Sequence, residues 1–447
     1  GQRRNSIQAS TNPLVAFARV NVIPMDREQV LSDQTVLVKD GRIVEIGPSA
    51  EVKVPAAALR IEGSGKYLMP GLADTHVHLR GFDEDDKEAL LHLFVANGVT
   101  TVLNLYGVPA HLELRGKIEQ GEVFGPTIYT SGPFISDAPT WTPTPEEAEA
   151  AVVEQKRAGY DLIKIHGDFS REAYRRLFAA ARREGIRVIG HAPRNLGVEV
   201  MLEEKQDAVA HAEEYLYAYF YFQRSKAFAG LDEAAKRRIM AEQEARVLHI
   251  AQATAKAGTW VIPNLTAYKT IGVQVADIHT VLGRPEVKYV PPSIAADWQP
   301  ERNTYVRRFK GAEAVWYFRA QYGLLEKLVK GFRDAGVRMM AGTDTPIPSI
   351  VPGFSIHDEL RDLVAAGLTP YEAIRTATAN PGEFLSSGDF GTIAVGKRAD
   401  LLLVEGNPLT DVSQTSRRVG VMLRGRWLAE ADLRKLLDGL IASPAVR

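Results

Sequence analysis

Gly71-Leu72-Ala73-Asp74-Thr75-His76-Val77-His78 is a short apolar run that closes on two histidines. Side chains of a strand alternate between faces, so His76 and His78 point the same way. Seven more such runs follow: Thr100–Leu105, Thr127–Ser131, Asp161–His166, Arg187–His191, Ala208–His211, Thr259–Asn264 and Val337–Asp344. Amphipathic stretches lie between most of them, as at Glu84–Asn97, Pro145–Ala158, Ser170–Glu184 and Gly311–Ala335. Eight strand–helix units in about 280 residues predict an α/β chain folded as a (β/α)8 TIM-type barrel. The connection between the seventh and eighth runs is unusually long, and long connections of this kind carry substrate specificity.

Functional groups of such barrels sit at the C-terminal ends of the strands. Here the first run ends on His76 and His78, the fourth on Lys164 and His166, the fifth on His191, the sixth on His211 and the eighth on Asp344. Two imidazoles two residues apart on one face form a metal clip, and the matched ends of four further runs bring ligand-type groups to the same rim. His92, His249 and His279 fall in helical or loop contexts and read as structural. His111 and His357 follow the second and eighth runs, and His357 also reads as structural.

Outside the array the pattern is β-rich. Ala16–Ile23, Thr35–Lys39 and Arg42–Ile46 precede it, with Asp40-Gly41 as a hairpin turn signal. Gly391–Val395, Ala399–Val404 and Val419–Arg424 follow it, before a last helix at Asp432–Leu440. The expected organisation is a small β-sandwich domain built from both termini, residues 13–66 and 388–430, flanking a barrel of residues 67–380.

Composition narrows the function. The 447 residues hold 54 Lys+Arg against 55 Asp+Glu, which argues against nucleic-acid binding or a polybasic membrane contact. There is no cysteine, so disulfides, thiolate metal sites and cysteine nucleophiles are excluded. No run reaches the ~18 apolar residues of a membrane span. The chain begins Gly1-Gln2-Arg3-Arg4 without Met, which suggests processing or a cloned fragment. Secreted, periplasmic and cytoplasmic locations all stay open.

The His76-X-His78 clip after Pro70-Gly71, the strand-end Lys164, His191, His211 and Asp344, and the closing stretch from Leu368-Thr369-Pro370 through Asn380-Pro381 to Gly391-Thr392-Ile393 and Gly396-Lys397-Arg398-Ala399-Asp400 resemble the amidohydrolase superfamily. The resemblance covers nearly the whole chain. It is strongest to the branch of imidazolonepropionase-like proteins and bacterial metal-dependent prolidases and carboxypeptidases. It implies a binuclear site with two divalent ions, zinc before manganese or cobalt. His76, His78 and Asp344 would hold the buried ion and His191 and His211 the more exposed one. N6-carboxylated Lys164 would bridge them, since a protonated ammonium would repel cations. A bridging hydroxide would attack an amide carbonyl, with Asp344 as general acid–base. The implied enzyme is a metallopeptidase or dipeptidase acting on a small molecule, and relatives of this kind often form homo-oligomers.

Four further residues are candidates for substrate contact: His166, which shares the inward face with Lys164, Tyr106, Tyr215 and Asn264. Tyr215 opens an aromatic segment that runs to Phe222, readable either as core or as a wall for an apolar group. The expected substrate is a dipeptide or N-acyl amino acid. The same bridging hydroxide would also serve a lactone, carbamate or organophosphate ester. A mononuclear deaminase or cyclic-amide hydrolase is the other alternative, and Lys164 speaks against it. A ligand-free scaffold is disfavoured because every ligand position is filled.

Overall fold

The computed structural model describes residues 14–79, 84–137, 141–220, 228 and 230–441. The polar first 12 residues and Tyr221-Phe222 of the aromatic segment lie outside the described residues. The chain opens with β1 (Leu14–Val22), β2 (Leu31–Lys39), β3 (Arg42–Pro48), β4 (Leu59–Glu62) and β5 (Tyr67–Pro70). The β2–β3 hairpin turns on Asp40 and Gly41, with φ of 48° and 77°, the doubly left-handed backbone that Asp-Gly accepts.

The barrel strands are β6 (Leu72–Val77), β7 (Val99–Asn104), β8 (Thr127–Thr130), β9 (Leu162–Ile165), β10 (Arg187–Gly190), β11 (Ala208–Ala210) and β12 (Trp260–Ile262). Helices alternate with them, and their ends obey local chemistry. In Arg171–Glu184, Ser170 caps the N-terminus by accepting from the Ala173 amide, and Gly185 ends the helix at φ 61°. Its Ala173, Tyr174, Leu177, Phe178 and Ala181 form one buried face. None of the helices of the described residues is long and apolar enough to cross a membrane.

Strands β6–β8 form one parallel sheet and β9–β12 another. They meet through single parallel bridges, Ser131 to Leu162 and Ile135 to Ile165, so the ring is not one continuous ladder. The expected eighth strand is also broken. Residues 337–345 touch their neighbours through bridges from Met339 to Val261 and from Thr345 to Val77. The cause is local: Gly342 passes so close to β6 that an added Cβ would lie 2.8 Å from the His76 Cβ, and Asp344 takes a left-handed backbone at φ 61°. The result is a TIM-type barrel whose strands are joined in two arcs.

The last strands are β13 (Leu401–Val404), β14 (Arg418–Leu423) and β15 (Arg426–Ala429). β13 pairs antiparallel with β5, and the order β15-β14-β13-β5-β1-β2-β3, with β4 beside β1, makes one eight-stranded sheet from both ends of the chain. No second stacked sheet, as a sandwich requires, occurs among the described residues, and the strand expected at Gly391–Val395 is irregular. Alternation locates a buried face but not how many sheets share the strands. Leu401 and Leu403 join Phe17, Val36 and Leu68 in the sheet's own core, whereas Leu402 and Val404 join Leu72, Phe94 and Val99 in the barrel core. Period-two patterning therefore fastens the sheet to the barrel.

Candidate metal centre

The strand ends converge. Asp74 lies buried beneath the rim, where its carboxylate accepts from the His76 and Thr343 amides and, at 2.6 Å, from the Thr343 hydroxyl. It thereby ties β6 to the broken eighth strand, and burial raises it to about pH 7. Above it, Asp344 Oδ1 lies 2.7 Å from His78 Nε2 and 3.2 Å from His76 Nε2, while Oδ2 lies 3.5 Å from His211 Nε2. The rings of His76 and His211 stack at 4.6 Å. His211 (φ 73°), Asn264 (φ 54°) and Asp344 (φ 61°) all have left-handed backbones. Each costs of order 1 kcal/mol or more for a residue with a Cβ, and all three cluster where strands end at the site.

Burial and charge set the protonation states. His76 and His191 are held well below the usual imidazole range by burial, His191 also by the Lys164 charge. His211 is raised, because the Glu213 and Asp344 carboxylates outweigh its burial. Burial pushes the Asp344 carboxyl up, but His76, His211 and His78 outweigh it and hold it well below the carboxylate range. Lys164 is only 1% exposed and its Nζ has no hydrogen-bond partner. Burial lowers its amine to about 8, against the pull of Asp344, Glu214 and Glu213.

The substrate candidates divide. His166 lines the cavity over the site, stacked at 4.5 Å on Phe134 and tilted against His191. Tyr106 stacks on the other face of Phe134 at 4.1 Å and sets its ring against His78. Tyr215 does not reach the cavity. It is fully buried against Phe332, its hydroxyl accepts from Thr254, and the tyrosine of the same helix that lines the cavity is Tyr217. Asn264 is fully buried too and so offers no surface to substrate. Its Oδ1 lies 3.3 Å from His76 Nδ1, and a carbonyl oxygen only accepts, so the His76 proton sits on Nδ1 and Nε2 faces Asp344. His357 stands apart, buried between Thr415 and the Asn97 carbonyl.

Three partners were not found by sequence reasoning. Glu214 Oε1 lies 3.3 Å from His191 Nδ1, and Arg194 grips both of its oxygens. Glu213 Oε1 and the Tyr268 hydroxyl each lie 3.3 Å from His211 Nδ1. The available signal was two acids separated by one residue from the strand-end His211, Glu213-Glu214, in a segment read for its aromatics. Among the four histidines of the two ligand groups, His78 rather than His191 or His211 is the most exposed, with 22% of its side chain open.

These residues fit divalent cations. Two groups place ligand atoms within 4.8 Å of one another: His76, His78 and Asp344, and His191, His211 and Glu214. His76 Nε2, His211 Nε2 and Lys164 Nζ are buried without hydrogen-bond partners, a costly arrangement in an interior unless another species binds them.

Comparison with known proteins agrees. The chain is 25% identical over 455 residues to ochratoxinase of Aspergillus niger, covering 92% of this chain and 85% of that protein. It is 25% identical over 398 residues to imidazolonepropionase of Sphingopyxis alaskensis, covering 88% and 91%. A solved structure from Bifidobacterium longum, described as a candidate prolidase, superposes with a TM-score of 0.69 at 25% identity, covering 96% of this chain and all of that one. The model of the amidohydrolase family, a family of metal-dependent enzymes acting on amide and related C–N bonds, matches residues 67–428. The chain belongs to the amidohydrolase family.

Proposed function

We propose that this protein is a binuclear metallohydrolase that cleaves an amide bond in a dipeptide or N-acyl amino acid. The observation that carries this reading is Lys164. Its partnerless, buried amine lies within electrostatic reach of Asp344 in one ligand group and Glu214 in the other. A lowered amine has a larger free-base fraction at neutral pH, and the free base is the form that adds carbon dioxide with loss of one proton. The anionic carbamate that results has an oxygen for each of two cations. Nitrogen and oxygen ligands without sulfur favour zinc.

Bound divalent ions supply a nucleophile at neutral pH by acidifying water and polarise the scissile carbonyl. The chain's own residues do the rest. Asp344, kept ionised by its histidine neighbours, accepts the proton of the attacking water and delivers it to the leaving nitrogen. Asn264 and Glu213 fix the orientation of His76 and His211. The relatives' names, ochratoxinase, imidazolonepropionase and prolidase, indicate no single substrate, so the choice rests with the cavity.

The test is a turnover screen of dipeptides, N-acyl amino acids and lactones with zinc-loaded protein, alongside carbon-13 NMR after equilibration with labelled bicarbonate. Amide turnover and a carbamate resonance that vanishes in Lys164→Ala are expected. Lactone turnover alone, or amide turnover with an unmodified Lys164, would contradict the reading.

A further inference from the structure

Beside the metal centre lies a cavity of about 1100 Å3. His166, His191 and Glu213 line it on the side of the ligands, so what fills it lies next to the chemistry. Much of its wall is aromatic: Tyr217, Tyr268, Tyr305, Phe309, Tyr317 and Phe318. Four of these six come from residues 304–334, within the long connection that follows β12. Aromatic walls favour a ring in the ligand, through stacked and edge contacts beyond the burial of area alone.

Charge adds a second requirement. Two guanidinium groups line the cavity, Arg194 and Arg308. Arg194 is compensated: Glu214 binds it through both oxygens. Arg308, at the end of the helix Thr304–Arg308, is exposed and lies 5.3 Å from the Phe309 ring centroid. Among the described residues it has no carboxylate partner. The acids of the lining are Glu213, engaged with His211, and Asp168, in the loop after β9, which forms no ion pair with Arg308. Arg308 is thus the uncompensated guanidinium of the described lining, placed next to an aromatic wall.

We propose that this cavity selects an amide substrate bearing both a large aromatic group and a free carboxylate, with the ring among Tyr305, Phe309, Tyr317 and Phe318 and the carboxylate paired to Arg308. The proposal deepens the amide-hydrolase reading and rests on it, since it names the substrate class of the same site. A guanidinium–carboxylate pair is a charge-assisted hydrogen bond that the planar fork of arginine makes through two parallel contacts.

The test separates binding from turnover. Zinc-loaded protein is titrated calorimetrically with 3-phenylpropanoate, with 3-phenylpropanol, which lacks the carboxylate, and with propanoate, which lacks the ring. The acid with the ring should bind at least about tenfold tighter than either control, the scale of one charge-assisted contact. Arg308→Leu should remove the advantage over the alcohol, Arg308→Lys should restore part of it, and Phe309→Ala should reduce the advantage over propanoate. Because Arg308 is exposed, its variants should keep the wild-type melting temperature. Unchanged 3-phenylpropanoate binding in Arg308→Leu would overturn the proposal, as the carboxylate would then lie elsewhere, at the metal ligands for instance. In parallel, hydrolysis of N-benzoylglycine, N-benzoylglycinamide and N-acetylglycine is followed. Equal kcat/KM for all three would overturn the proposal and leave the hydrolase reading intact. Selective binding without hydrolysis of any amide in a broad panel would leave the subsite standing and contradict the hydrolase reading.

Discussion

On the proposed reading, Asp344 and the histidines around it should answer differently to mutation, because losing a proton acceptor and losing a ligand are different defects. Asp344→Asn keeps the size and one oxygen, so much of the metal should remain while kcat falls by roughly 10²–10⁴. His211→Ala removes a ligand atom that faces Asp344 at 3.5 Å, so metal content should fall first and excess zinc should restore part of the rate. The comparison is kcat at matched metal occupancy. Near wild-type turnover in metal-replete Asp344→Asn would pass the proton role to another group that lines the cavity, such as His166. Lys164→Ala should abolish activity, and millimolar formate or acetate should recover part of it by replacing the bridging oxygens. That Lys164, His191, His211 and Asp344 meet was legible because strand alternation and barrel topology together decide which strand-end side chains share a rim. Glu214 was not legible, since its burial depends on Arg194 arriving from the neighbouring loop. Nor could sequence separate Tyr215 from Tyr217, which sit two apart on one short helix and differ only in the direction they face.

Strand β6 and the broken eighth strand show how an element can serve a site by being irregular. Gly342 lies between the Ile262 side chain and His76, with an added Cβ 2.6 Å from the one and 2.8 Å from the other. Gly342→Ala should therefore push on His76 directly, lowering stability by about 1–3 kcal/mol as other forced overpacking does. It should also weaken zinc affinity, read by competition with a chromogenic chelator. Unchanged melting temperature and zinc affinity would mean that the strand relaxes without moving His76. The apolar run Val337–Asp344 reads as a strand in sequence, and its apolar residues do face the interior. The departure lies in the close approach of Gly342 to β6 and β12 and in the left-handed backbone of Asp344, which one segment read alone does not reveal. β13 is apolar at every position, which fits burial on both faces but does not tell which core each face joins.

Across the whole molecule, His357 fastens the helix Ser355–Ala365 to the segments before β7 and β14. Its Nε2 donates to the Asn97 carbonyl at 3.0 Å, and Nδ1 lies 2.9 Å from the Thr415 hydroxyl. Burial and the neighbouring Arg418 charge push it down to about 3, against an ordinary 6.5. In the unfolded chain it takes up a proton near pH 6.5, and in the folded chain only near 3. The unfolded state thus binds more protons in that window, so the stability this group confers is complete above about pH 6.5 and is lost as pH falls toward 3. Urea unfolding at pH 7.5 and 4.5 should show wild-type protein losing stability on acidification, and His357→Gln losing less between the same two values. An equal loss in both would assign the acid response to other groups. The contact belongs to the junction of barrel and terminal segments, so the same variant should also lower overall stability at pH 7.5.

The central claim is that Lys164 joins two ligand groups into one two-metal centre. It is tested most directly by counting zinc per chain, by plasma mass spectrometry, in protein reconstituted with zinc and bicarbonate and freed of loose metal by gel filtration. Two zinc ions per chain in wild-type protein and no more than one in Lys164→Ala are the predicted result. A fully active wild-type enzyme with a single zinc, or two zinc ions retained in Lys164→Ala, would contradict it.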